Sequence, residues 1–146
     1  MLRSAIAIML GFVYIGTLSF GADALLRAVL PDAFGAGGAV DGTAILLLIT
    51  AYVGLFAISG CYLAARIARV HPMRHALFLG LLGLIVNAMG TITLWDTAPA
   101  WYHAISLLLV MPYAYAGGRL REMELSRAGG RASSAKAAAA TAGATR

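Results

Sequence analysis

Few side chains in this sequence are capable of chemistry, and most lie near the ends of long apolar runs. Asp23 follows Gly16, Thr17 and Ser19, while His103 lies shortly after Asp96. A carboxylate and an imidazole gathered at one rim would bind a cation or relay protons. The plainer alternative pairs Asp23 with Arg27, four residues on and in the favourable acid-first order, and leaves His103 facing water. Asn87 is the lone amide deep inside an apolar run. An unpaired amide in hydrocarbon is costly, so it either bonds across to another helix or lines a polar pocket. Thr91, Thr50 and Ser59 are its candidate company, although their hydroxyls can also return to their own backbone.

Other chemistries find little support. His71 and His75 are four apart, but Pro72 should begin a helix between them, and no Cys or carboxylate stands by to complete a metal site. A single cysteine, Cys61, excludes paired-thiol redox work. The three histidines form no mid-run pair that would hold a haem. Phosphate-loop, zinc-protease and nucleophile-elbow motifs are missing from the sequence. Catalysis needs convergent titratable groups, so the expectation is a protein that is not an enzyme and takes no metal and no cofactor.

These residues must be positioned by apolar helices. The 146-residue chain is 61% hydrophobic, far above an ordinary soluble domain. A span needs roughly 20 mostly apolar residues, and four stretches qualify: about Ser4–Ala22, Thr43–Ala65, Ala76–Leu94 and Ala100–Gly118. The expected fold is all-α, an integral membrane four-helix bundle, with helices about 4–30, 43–68, 72–94 and 99–120 in a domain covering 1–125. The net charge of +5 flanks these runs, so an anionic leaflet is a simpler partner than nucleic acid. Arg3, then Arg66, Arg69 and Arg74, then the basic residues from Arg119 onward fall on one side; Arg27 alone falls on the other. Basic residues stay cytoplasmic, which predicts both termini inside, with Trp95, Trp101 and Tyr102 at the outer interface. Arg66, Arg69, Arg74, Arg119 and Arg121 are the candidate contacts for lipid head groups. A competing reading takes residues 1–24 as a cleaved signal peptide ending in Ala22-Asp23-Ala24. Against it, the apolar run is long, contains Gly11, Tyr14 and Gly16, and continues in helical rhythm to Leu30.

Pro31 is the first clear stop for helix one, and the Gly- and Ala-rich stretch to Gly42 is expected to be a flexible loop. Pro72 fits the first position of helix three. Asp96 or Thr97 is the expected cap of helix four, with Pro99 just inside it. Both connections are tight, so helices two, three and four should be antiparallel neighbours. Pro112 should bend helix four. Residues 126–146 have no apolar face and are expected to form a disordered basic tail, an exposed helix there being marginal.

Two small-residue stripes hold helical spacing. They are Gly54, Ala57, Cys61, Ala64 and Ala68 on helix two, and Ala76, Gly80, Gly83, Asn87 and Gly90 on helix three. In lipid such faces let backbones approach closely. The two stripes are expected to face each other, or one to face a second copy; the alternative is a narrow ligand path lined by glycines. The segment Ile58–Arg66, followed by His75–Gly80, resembles the middle of small bacterial four-helix inner-membrane proteins of unassigned function, which share a Gly-x-x-x-Ala/Gly-Arg helix exit and a His-Ala/Gly entry. The resemblance covers about a third of the chain and implies a bacterial inner membrane and four helices, with no activity attached. The chain lacks the mid-helix glutamate of small multidrug antiporters. The leading expectation is a non-catalytic accessory or structural subunit that contacts lipid, a second copy in a homodimer, or a membrane-protein partner. The alternative is a small transporter or channel subunit for a cation or proton that uses Asp23 and Asn87.

Overall fold

The computed structural model describes the backbone of residues 2–35, 38–40, 42–68 and 71–144, and side chains over the same spans except 2–3 and 136–144. Within them the fold is all-helical: α1 Leu2–Val29, α2 Thr43–Ala68, α3 Pro72–Thr93 and α4 Ala100–Ala144. Pro31 opens a short 3-10 turn directly after α1, where its ring and missing N–H stop the helix. Pro72 begins α3 as expected, and His71 before it takes a left-handed conformation at φ 50°. This sharp reversal brings α3 back against α2. α4 runs unbroken through Pro112.

Three of the helices, α1 from Ser4, α2 and α3, are long and apolar enough to cross a membrane. The fourth expected span, at the start of α4, is not among them. Its Leu- and Val-rich centre is diluted by Trp101, Tyr102, His103, Pro112, Tyr113 and Tyr115.

The helices alternate in direction, and α2 and α4 pack against each other as well as against α1 and α3, respectively. At the end carrying Arg66 and Arg74 the packing is tight. Cys61, Ala64, Ala65, Ala76, Leu79 and Ala114 form a buried cluster there, with Ile8, Phe12 and Ile15 of α1 against it. Two glycines set the closest approaches. A Cβ on Gly11 would lie 3.0 Å from the Gly60 carbonyl oxygen, so α1 and α2 meet backbone to backbone. A Cβ on Gly117 would lie 2.5 Å from the Ile58 carbonyl oxygen, which joins α4 to α2 in the same way.

At this end the two stripes share one cluster, through Cys61 and Ala64 of α2 and Ala76 of α3. Beyond it they part. Gly80 faces Ala114 and Gly83 faces Val110, both on α4, while Gly54 makes room for the Tyr113 ring. Gly90, expected to pack, has no atom within 4 Å of where its Cβ would be. Helix α4 comes between the stripes because its small residues Ala114, Gly117 and Gly118 allow the nearest backbone approach.

The structure continues α4 to Ala144 in a single helix of 45 residues. Extending an existing helix avoids the nucleation penalty, and Ala is the best helix former. Arg119–Glu122 and Arg121–Glu124 pairs, at 3.1 and 2.6 Å, support the turns where it leaves the bundle. From Arg119 to Ala144 the helix reaches roughly 37 Å by its rise, and residues 123–135 are exposed.

Candidate functional site

The opposite end of the bundle is hollow. A cavity of about 230 Å³ lies there, and its lining includes Asp23 of α1, Asn87 of α3 and His103 of α4. The three candidate polar residues, distant in sequence, thus share one chamber. The α1–α2 connection forms part of its wall. Phe34, Gly38 and Val40 line the chamber, and the Val40 N–H donates to the Thr97 carbonyl at 2.8 Å. A segment expected to be a flexible loop instead straps one connection to the other, with Val40 buried.

Asp23 is not paired with Arg27. Its carboxylate accepts a hydrogen bond from the Tyr52 hydroxyl of α2. The Arg27 guanidinium instead lies 4.6 Å from the centre of the Phe34 ring, a cation–π contact. Gly38 has φ +84°, a left-handed conformation that favours glycine at this turn.

His103 is only 5% exposed. Its Nε2 meets the Trp95 carbonyl oxygen at 3.2 Å, and its ring stacks on Trp95 with centroids 5.2 Å apart. Donating from Nε2 leaves Nδ1 as the acceptor in the neutral ring. The Asn87 amide donates to Ser106 Oγ at 3.5 Å, a long bond that ties α3 to α4 while the residue also lines the chamber.

Of its candidate company, Thr50 and Ser59 bond their own helix at Leu46 and Phe56. Thr91 differs. It is 9% exposed, lines the chamber, and its hydroxyl has no partner. Asp96 is exposed and lies outside the chamber lining. Thr97 does not cap α4, because its hydroxyl donates to the Leu94 carbonyl at 2.7 Å.

A second cavity of about 400 Å³ extends from the chamber down the bundle. Asp23, Ile49, Asn87, Tyr102 and Ser106 line both spaces, so they form a shared partition, polar but for Ile49. Below it the walls are largely apolar, with Phe12, Ile15, Val53, Val86 and Leu109 among them. The cleft opens beside α1, where Phe20 lines it and is 78% exposed.

Among the described residues no three His, Cys, Asp or Glu side chains gather as metal ligands. His75 Nδ1 meets the carbonyl oxygen of His71 at 3.1 Å, which turns that ring toward its own backbone. Of the head-group candidates, Arg66 and Arg74 are exposed, Arg119 and Arg121 are held by Glu122 and Glu124, and Arg69 lies outside the described residues. The Tyr62 hydroxyl, donating at 2.7 Å, and the Arg121 guanidinium hold the Glu124 carboxyl below the usual carboxylate range.

Sequence reasoning missed Tyr52 as the partner of Asp23, Tyr102 and Ser106 as chamber residues, and Gly11, Gly60, Gly117 and Gly118 as close contacts. Tyr52 carried a signal that was available: it is a polar tip on α2 at the same depth as Asp23 on α1. No protein family matches the chain, and no curated protein or solved structure is similar to it.

Proposed function

We propose that this protein is an integral membrane protein of the bacterial inner membrane, with four spans and both termini cytoplasmic, and that it serves as a small transporter or channel subunit for a cation or proton. The observation that carries this reading is the meeting of Asp23, Asn87 and His103, from three helices, in one chamber. A carboxylate beside an amide and a buried imidazole offers oxygen and nitrogen acceptors to a monovalent cation and a route for protons.

Insertion is supported by the surface. Large apolar side chains such as Met9, Leu55, Phe78, Ile92 and Leu108 are exposed on every helix, which water disfavours and hydrocarbon does not. The basic residues Arg66 and Arg74 lie at the end away from the chamber, as the cytoplasmic bias of Lys and Arg requires. The chamber then faces outward, and Trp95 and Trp101 stand at that interface. The bacterial inner membrane rests on the sequence resemblance.

Purified protein in liposomes, with a cation gradient and an internal pH dye, tests the function. Asp23→Asn and Asn87→Leu should each lower flux by roughly tenfold or more while insertion is retained. Flux unchanged in both variants would overturn it.

A second reading, a non-catalytic accessory subunit, is favoured by α4. Its exposed extension presents Arg127 and Arg131 beyond the bundle, where anionic lipid or an acidic partner surface would meet it. Deleting residues 126–146 should then release a co-purifying partner in native mass spectrometry from nanodiscs, with flux unaffected.

A further inference from the structure

From the adjoining chamber and cleft, which share Asp23, Asn87, Tyr102 and Ser106 as walls, and resting on the cation reading above, we infer that the ligand is an amphiphilic organic ammonium ion, its charged head at the chamber and its apolar chain in the cleft. An inorganic cation would use only the smaller space. The larger one, about 400 Å³, falls within the size of ordinary small-molecule sites, and its walls below Asp23 offer a cation almost nothing but hydrocarbon. Burying a charge there is prohibitive, whereas burying a chain is favourable.

Arg27 also lines the chamber but its guanidinium is drawn onto the Phe34 ring, and the polar groups that would meet a cationic head are those at the partition. Tyr52 occupies one acceptor position of the Asp23 carboxylate, which leaves further lone pairs for an ammonium N–H. Tyr102 lines both spaces, which places an aromatic ring beside the site of the head. Thr91 also lines the chamber, its hydroxyl buried and without a protein partner.

Gly16 provides a means of closing the cleft. It lines that space, and no atom lies within 4 Å of the position its Cβ would take. The first carbon of a leucine side chain there enters open volume, and leucine suits a helix better than glycine.

Equilibrium binding to the protein in nanodiscs, corrected with empty nanodiscs, tests the inference with radiolabelled n-octylammonium, methylammonium and n-octanol. Octylammonium should bind saturably, about 100-fold tighter than methylammonium through its chain and roughly tenfold tighter than octanol through its charge. Gly16→Leu should abolish the advantage over methylammonium, and Asp23→Asn the advantage over octanol. If methylammonium binds as tightly as octylammonium and still depends on Asp23, the amphiphile is overturned while the cation reading survives. If octanol equals octylammonium and Asp23→Asn changes nothing, both fall. Absence of saturable binding by all three, or a co-purifying lipid that octylammonium does not displace, also overturns the inference.

Discussion

The two ends of this bundle are built from the same kinds of helix and do opposite things with them. At the Arg66 end, Gly11, Gly60 and Gly117 bring backbones together and Ala64, Ala76 and Ala114 fill the remaining space. At the Trp95 end, Gly90 faces open volume, and Asp23 of α1, Asn87 of α3 and His103 of α4 border a cavity walled on one side by the α1–α2 connection. A glycine on a helix face thus has two meanings. Where a neighbouring backbone stands opposite, it is a contact; where none does, it is a wall.

The largest expected effect is at the packed end. Gly117→Val would drive a side chain into the Ile58 carbonyl and the Cys61 side chain, and backbone cannot yield as a flexible side chain does. A loss of about 3 kcal/mol or more is expected, read as a shift in the unfolding midpoint in mixed micelles. A loss below about 1 kcal/mol would mean that this end is not close-packed. Gly90→Ala is the counterpart at the hollow end. Its methyl meets nothing and alanine favours the helix, so stability should stay the same or rise by up to about 1 kcal/mol, while ligand uptake into the chamber falls. A destabilisation matching that of Gly117→Val would erase the contrast between the ends.

The smallest effect concerns the exit of α4. Glu124 is held below its ordinary range first by the Tyr62 hydroxyl and then by Arg121. A carboxyl lowered in the folded state contributes stability that is complete above the unfolded value and is lost as pH falls through the folded one. Stability curves of the native protein and Glu124→Gln should therefore differ slightly above the glutamate range and converge in acid. Because the group is exposed, the gap should be small and should shrink with salt.

Much of this was legible in the chain, for local reasons. Pro31 and Pro72 mark helix ends because their rings forbid continuation, and the apolar runs between them are helical because no other structure satisfies their backbone in so little sequence. The polar residues Asp23, Asn87 and His103 could be singled out because they interrupt those runs. Periodicity also grouped Gly80, Gly83 and Gly90 on one face.

What the tertiary structure alone decided is what stands opposite each face. Periodicity states which residues share a stripe and is silent about the neighbour, so Gly83 and Gly90 look alike in sequence although one faces Val110 and the other a cavity. The exchange of Arg27 for Tyr52 as the partner of Asp23 has the same origin: two helices had to come together before the hydroxyl was within reach. The loop over the chamber depends on a bond between Val40 and Thr97, far apart in the chain. A cavity is a place that side chains from several helices leave unfilled, and no single segment encodes it.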